Sequence, residues 1–145
     1  MVLVSAETLP LERSEHVVMV RQLVRQRAVE LGFSLVDQTK VVTAASELAR
    51  NTILHGGGGQ AVVEAVSDGI RRGIRLTFED QGPGIANIEQ AMKDGFTTAG
   101  GLGLGLALVK RVADAHGGDV RVESTPGKGS KLSIVLPGAP KKRKR

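Results

Sequence analysis

Three short segments of this 145-residue chain carry residue types at spacings that can do chemistry: Glu47-Leu-Ala-Arg-Asn51, Asp80-Gln-Gly-Pro-Gly84 and Gly101-Leu-Gly-Leu-Gly-Leu106. Glu47, Asn51 and His55 stand at i, i+4 and i+8, which makes one polar stripe on a helix. A carboxylate there can act as a general base on a hydroxyl or orient an attacking water. A neutral amide oxygen one turn away can ligate Mg²⁺ without losing a proton. The same stripe also fits an ordinary solvated face, and a histidine at a helix end suits the dipole. His55 joins the candidate nucleotide set only through its place on the stripe.

Asp80 puts a carboxylate at the end of a β-like run, and Gly82 and Gly84 let a ligand approach the backbone closely. Such a carboxylate can accept from an exocyclic amine, as adenine offers and guanine at that position does not. Asp-x-Gly-Pro-Gly is also a good β-turn sequence. The third segment leads into a helical pattern, and unpaired amides at a helix start form an anion site reinforced by the dipole. Leu102, Leu104 and Leu106 alternate with Gly101, Gly103 and Gly105, as in a backbone held by leucine packing. Neither Gly-x-x-x-x-Gly-Lys-Ser/Thr nor Gly-x-Gly-x-x-Gly occurs, so the P-loop and the dinucleotide fingerprint are excluded.

The elements that must position these residues follow from periodicity. Residues 2–11 read as a strand, and Ser14 to Leu31 as an amphipathic helix on Val17, Val20, Leu23, Val24 and Leu31. Gly32 is placed to end it. Ser34 with Asp37 makes a capping-box-like start for a second helix, through Val41, Ala44, Ala45 and Leu48 to Ile53, stopped by Gly56 to Gly59. Ala61–Val66 and Ile74–Glu79 suit a hairpin with a polar connection, with Asp80 at its end. Ile85–Asp94 predicts a short helix and Gly95–Gly101 a mobile lid. Leu104–His116 predicts another helix, and Asp119–Ser124 and Ser130–Leu136 two strands around a Pro-Gly turn. The order β-α-α-β-β-α-lid-α-β-β predicts a two-layer α/β sandwich with helices on one face of the sheet.

Composition narrows the classes. Lys141–Arg145 carries five positive charges and accounts for the whole +5, leaving fifteen Lys and Arg against fifteen Asp and Glu in the rest. A neutral body with three Phe and no Tyr or Trp argues against a nucleic-acid-binding face. The absence of cysteine excludes disulfides and thiolate metal sites. No signal-peptide pattern and no run near the roughly 18 apolar residues of a membrane span is present, so the expected setting is cytoplasmic with no membrane. Residues 1–137 are expected to form a single domain and 138–145 a disordered basic tail.

Taken together, the three segments resemble the N, G1 and G2 boxes of the GHKL ATPase family (Bergerat fold), and the resemblance covers about residues 5 to 137. It implies a mixed, mostly antiparallel sheet covered on one face by helices, and ATP with Mg²⁺ as cofactors. It implies that Asn51 ligates the metal, that Asp80 with Gly82 and Gly84 reads adenine, and that Gly101, Leu102, Gly103, Leu104 and Gly105 lie along the phosphates beneath the lid. Ser130 matches the hydroxyl residue that joins Asp80 at the adenine through water. Within the family, Glu30-Leu-Gly-Phe33, Ser46–Asn51, Glu79–Ile85 and Asp94-Gly-Phe-Thr-Thr98 resemble the free-standing bacterial serine/threonine kinases of partner-switching systems. Leu108–Asp119 is instead more similar to a histidine kinase. The class implies transfer of the ATP γ-phosphoryl group to a Ser or Thr of a STAS-domain partner of the anti-sigma-factor-antagonist or stressosome type, with Glu47 as base. Lys93, Lys110 or Arg111 are the candidate cations for the transferred group. The competing expectation is a binding module that holds a sigma factor or docks on a phosphatase, with ATP as an ordering ligand.

Overall fold

The computed structural model describes residues 2–54, 57–67, 69, 71–80, 110, 111, 114, 119–125 and 129–140. Strand β1 (Val2–Leu11) leads into helix α1 (Ser14–Glu30), which buries Val17, Val20, Leu23, Val24 and Ala28 on one face as its 3.6-residue period requires. Its start is closed by His16, whose Nδ1 accepts the N–H groups of Glu12 and Arg13 at 3.0 and 3.3 Å. Its end is a Schellman motif. Gly32 takes φ 82°, its N–H donates to the Val29 carbonyl at 3.1 Å, and the Phe33 N–H donates to the Ala28 carbonyl at 2.9 Å. Arg27 ties the helix to the sheet through an ion pair with Glu7 of β1, and within the helix it pairs with Glu30 at 3.1 Å.

Helix α2 (Leu35–Leu54) starts as its sequence predicts, with the Asp37 N–H donating to Ser34 Oγ at 3.1 Å. Strands β2 (Gly59–Ser67), β3 (Arg71–Asp80), β4 (Asp119–Thr125) and β5 (Gly129–Pro140) complete a sheet ordered β1-β2-β3-β5-β4, and every pairing between these strands is antiparallel. Period-two alternation puts Ala61, Val63 and Ala65 of β2 opposite Phe78, Leu76 and Ile74 of β3, all buried beneath α1 and α2. On the other face Glu64 faces Arg75, and the two form a bidentate pair with both contacts at 2.9 Å. That charge-assisted bond holds the Arg75 guanidinium above its usual pKa, against the opposing effect of burial.

The α/β sandwich of the sequence reading is therefore observed, with strands longer than their apolar runs. β5 continues past Pro137 to Pro140, where it pairs with Arg71, so residues 138–140 lie in the sheet. The expected helix Ile85–Asp94 and lid Gly95–Gly101 lie outside the described residues. Of the expected helix Leu104–His116, Lys110, Arg111 and Asp114 are described, and all three are helical. Among the described residues no helix is long and apolar enough to cross a membrane.

Candidate functional site

Glu47 and Asn51 both lie in the C-terminal half of α2, one turn apart as their spacing predicts. The helix buries Ala45, Leu48, Ala49 and Thr52 around them, which fixes where both side chains start. The Asn51 amide nitrogen is fully buried and has no hydrogen-bond partner among the described residues. An orphaned buried amide is costly, by about 1–3 kcal/mol. Since the two ends of a carboxamide are assigned from their partners, the unpartnered position can present either the donor or the oxygen. That orphan fits a polar ligand or a Mg²⁺ ion. Glu47 differs: its side chain is 33% exposed, and its Oε1 accepts from Arg50 Nη1 at 2.7 Å.

Asp80 is the last residue of β3 and is partly exposed. The fold brings it to the same end as Asn51 through one short path. The Gly58 N–H donates to the Thr52 carbonyl at 3.0 Å in the last turn of α2, and the next residue, Gly59, stands opposite Asp80 in the β2–β3 ladder. Ser130 joins them by register. Lys131 pairs with Glu79, so Ser130 occupies the position beside Asp80 at the start of β5. His55, Gly82, Gly84, Gly101, Leu102, Gly103, Leu104 and Gly105 lie outside the described residues, as does Lys93. Lys110 faces Asp114, with Nζ 3.4 Å from Oδ2.

Two positions at this end escaped the sequence reading. Gly59 reads there only as part of a helix stop, yet a Cβ on it would overlap the Glu79 carbonyl oxygen and lie 3.0 Å from the Asp80 Cα. The absence of a side chain is what lets β2 close on the strand end that carries Asp80. Arg50 sits inside the Glu-x-x-x-Asn segment, and i,i+3 spacing is the signal that pairs it with Glu47.

The end of the sheet thus offers a buried amide nitrogen with no partner among the described residues, an accessible carboxylate one turn away, and a second carboxylate on the neighbouring strand end. Such a set can hold a cation, accept a proton and accept from an amine.

Residues 36–140 match the model of the family described as histidine kinase-, DNA gyrase B-, and HSP90-like ATPase. The chain is 46% identical over 119 residues to the serine/threonine-protein kinase RsbT of Bacillus subtilis, covering 82% of this chain and 86% of RsbT. It is 40% identical over 112 residues to the sensor-like histidine kinase SenX3 of Mycobacterium tuberculosis, but spans only 27% of that longer protein. Among solved structures, a mycobacterial sensor histidine kinase, MprB, superposes with TM-score 0.58 at 27% identity, covering 94% of this chain and all of that one. Full-length ShkA in complex with AMPPNP superposes with TM-score 0.60 at 26% identity, covering 95% of this chain and 32% of ShkA. A family match over most of the length, a relative near half identical over more than four-fifths of both chains, and an antiparallel sheet with α2 over the strand that ends in Asp80 agree: the chain belongs to the histidine kinase-, DNA gyrase B- and HSP90-like (GHKL) ATPase family.

Proposed function

We propose that this protein is an ATP- and Mg²⁺-dependent protein serine/threonine kinase of a partner-switching system, and that it phosphorylates a STAS-domain protein. The observation that carries the reading is the pair on α2: a buried, unpartnered Asn51 amide one helical turn from the accessible Glu47 carboxylate. Similarity to RsbT over 86% of that kinase's length supports protein phosphorylation over bare ATP hydrolysis.

In this reading Asp80 accepts from the adenine amine, with Ser130 beside it, and the glycines of Gly101–Gly105 line the phosphates. Asn51 holds Mg²⁺, which when bound neutralises phosphate charge. Glu47 takes the proton of the acceptor hydroxyl while that oxygen bonds to the γ-phosphorus and the bond from phosphorus to the β,γ-bridging oxygen breaks, releasing ADP. Positioning and charge neutralisation supply most of the acceleration in such transfers. Histidine is disfavoured as the acceptor because RsbT, matched over 86% of its own length, is named for serine and threonine, whereas SenX3 is matched over 27% of its length.

The test is incubation with γ-labelled ATP, Mg²⁺ and a panel of recombinant STAS-domain proteins, with a pull-down of the same proteins without ATP. Acid-stable label on a Ser or Thr of one STAS protein is expected. Nucleotide-dependent capture of a sigma factor or phosphatase with no label on any partner would replace the kinase with a nucleotide-regulated binding module.

A further inference from the structure

The turn that His16 closes lies at the same end of the sheet as Asp80 and Asn51. The His16 ring is buried in the first turn of α1, and its Nδ1 accepts the N–H groups of Glu12 and Arg13 at 3.0 and 3.3 Å. An imidazole nitrogen accepts only while it carries no proton, so these two bonds require neutral His16. The bonded turn follows directly on Leu11, which pairs with Gly59, and Gly59 pairs with Asp80, a line of about 10 Å across the sheet. The Gly58 backbone lies against the same turn: a Cβ on it would stand 3.2 Å from the Leu11 carbonyl oxygen and 4.0 Å from the Glu12 Cα. Gly58 in turn donates its N–H to the Thr52 carbonyl, one residue past Asn51.

We infer that His16 is a positioning residue for the nucleotide end, and that protonation of its imidazole releases the hold. With a proton on Nδ1 the ring presents a donor to two donors, so both bonds are lost and the turn is freed. A positive ring in the first turn also opposes the dipole of α1. The charged groups on the elements around it are Glu12, Arg13 and Glu15 of its own turn, Glu47 and Arg50 on α2, and Glu79 and Asp80 at the end of β3. Arg13 pairs with Glu15 and Arg50 with Glu47, and among the described residues no carboxylate pairs with the imidazole, so a proton on it gains no counter-ion in this position. Once freed, the turn no longer braces Leu11 and Gly58, and Asp80 and Asn51 lose part of their common support. The inference rests on the nucleotide reading of this end and not on phosphoryl transfer.

The affinity of the full chain for a fluorescent ATP analogue with Mg²⁺ is compared for wild type and His16→Asn between about pH 8 and about pH 5.5, a range that spans protonation of a free imidazole at about 6.5. Asn offers a carboxamide oxygen at the reach of Nδ1 and does not titrate. The ratio of the two affinities at each pH cancels the protonation of the ligand itself. On acidification wild type should lose affinity severalfold relative to the variant, up to about 25-fold for two hydrogen bonds worth about fivefold each. Amide exchange of wild type, corrected for its intrinsic rate, needs no variant and should accelerate at Glu12 and Arg13 over the same range. A ratio that stays constant with pH would overturn the proposal. Failure of wild type to bind the analogue at any pH would remove the nucleotide reading instead, and amide exchange would then decide the hold by itself: acceleration at Glu12 and Arg13 supports it, and unchanged protection overturns it.

Discussion

Gly59→Ala is the most direct probe of how the fold positions Asp80. The added Cβ would overlap the Glu79 carbonyl oxygen, and would lie 2.9 Å from that carbonyl carbon and 3.0 Å from the Asp80 Cα. Ordinary carbon contacts are at about 3.5–4.0 Å. β2 and β3 must therefore separate by roughly 1 Å at this end, and since both obstacles are backbone, no side-chain rotation relieves them. One or two ladder hydrogen bonds at about 1 kcal/mol each, with overpacking of about 1–3 kcal/mol, give a loss of about 2–5 kcal/mol. For a domain of this length that lowers Tm by roughly 6–15 °C. The same displacement moves Asp80, so affinity for a fluorescent ATP analogue should fall by about tenfold or more, given the about 1.5–3 kcal/mol of a charged hydrogen bond. Differential scanning fluorimetry and nucleotide titration of the one variant read both effects. Wild-type Tm with wild-type affinity would refute the close approach as the device that sets Asp80.

The remaining expectations divide binding from transfer and from stability. Asp80→Asn should weaken ATP binding by about 10- to 100-fold, the loss of a charge-assisted hydrogen bond, and should erode preference for ATP over GTP in competition titrations; an intact preference would remove Asp80 as the adenine reader. Glu47→Ala should bind ATP normally and lose about 10²–10⁴-fold in transfer, and a near-normal rate would rule it out as the base. Glu64→Ala strands the partly exposed Arg75 guanidinium and should cost about 1–2 kcal/mol, discounted for that exposure. Because the pair raises the Arg75 pKa, its stabilisation is full below the unfolded-state pKa of arginine and fades only as pH rises through the raised value. The Tm difference between Glu64→Ala and wild type should accordingly be the same at neutral and mildly alkaline pH.

Both helices could be read because their information is local. An apolar stripe at Val17, Val20, Leu23 and Val24, a Gly at a left-handed position and a Ser before an Asp each act within one turn of chain. Strand ends are set by partners, and here the sequence underestimates. Gly59 and Gln60 carry no strand propensity, but they pair with Asp80 and Glu79 and also with Leu11 and Pro10, so neighbours on both sides extend β2. Pro137 looked like a stop for the opposite reason. β4 last pairs β5 at Val135, so beyond it β5 is an edge, where a missing N–H is tolerated. In the candidate site, Glu47, Asn51 and Asp80 were visible from residue type and spacing. The need for a bare backbone at Gly59 was not, because its reason lies on a strand twenty residues away.

Glu47 and Asn51, one turn apart, are treated differently by the fold, and the difference bears on how such a site is used. The Asn51 amide nitrogen is sealed from water and has no partner among the described residues, so its cost is borne by the protein until a ligand relieves it. A nucleotide with its metal is a ligand of that type, and relief of the orphan adds to affinity without any acceptor being present. Glu47 is accessible, and Arg50 engages it through Oε1 alone. No burial penalty waits to be relieved there, and an exposed ion pair of this kind is worth under about 1 kcal/mol, so an incoming hydroxyl can compete for the carboxylate at little cost. On the proposed reading, nucleotide binding is built into the chain's own packing. Transfer instead depends on a partner bringing its hydroxyl to a carboxylate that the fold leaves within reach.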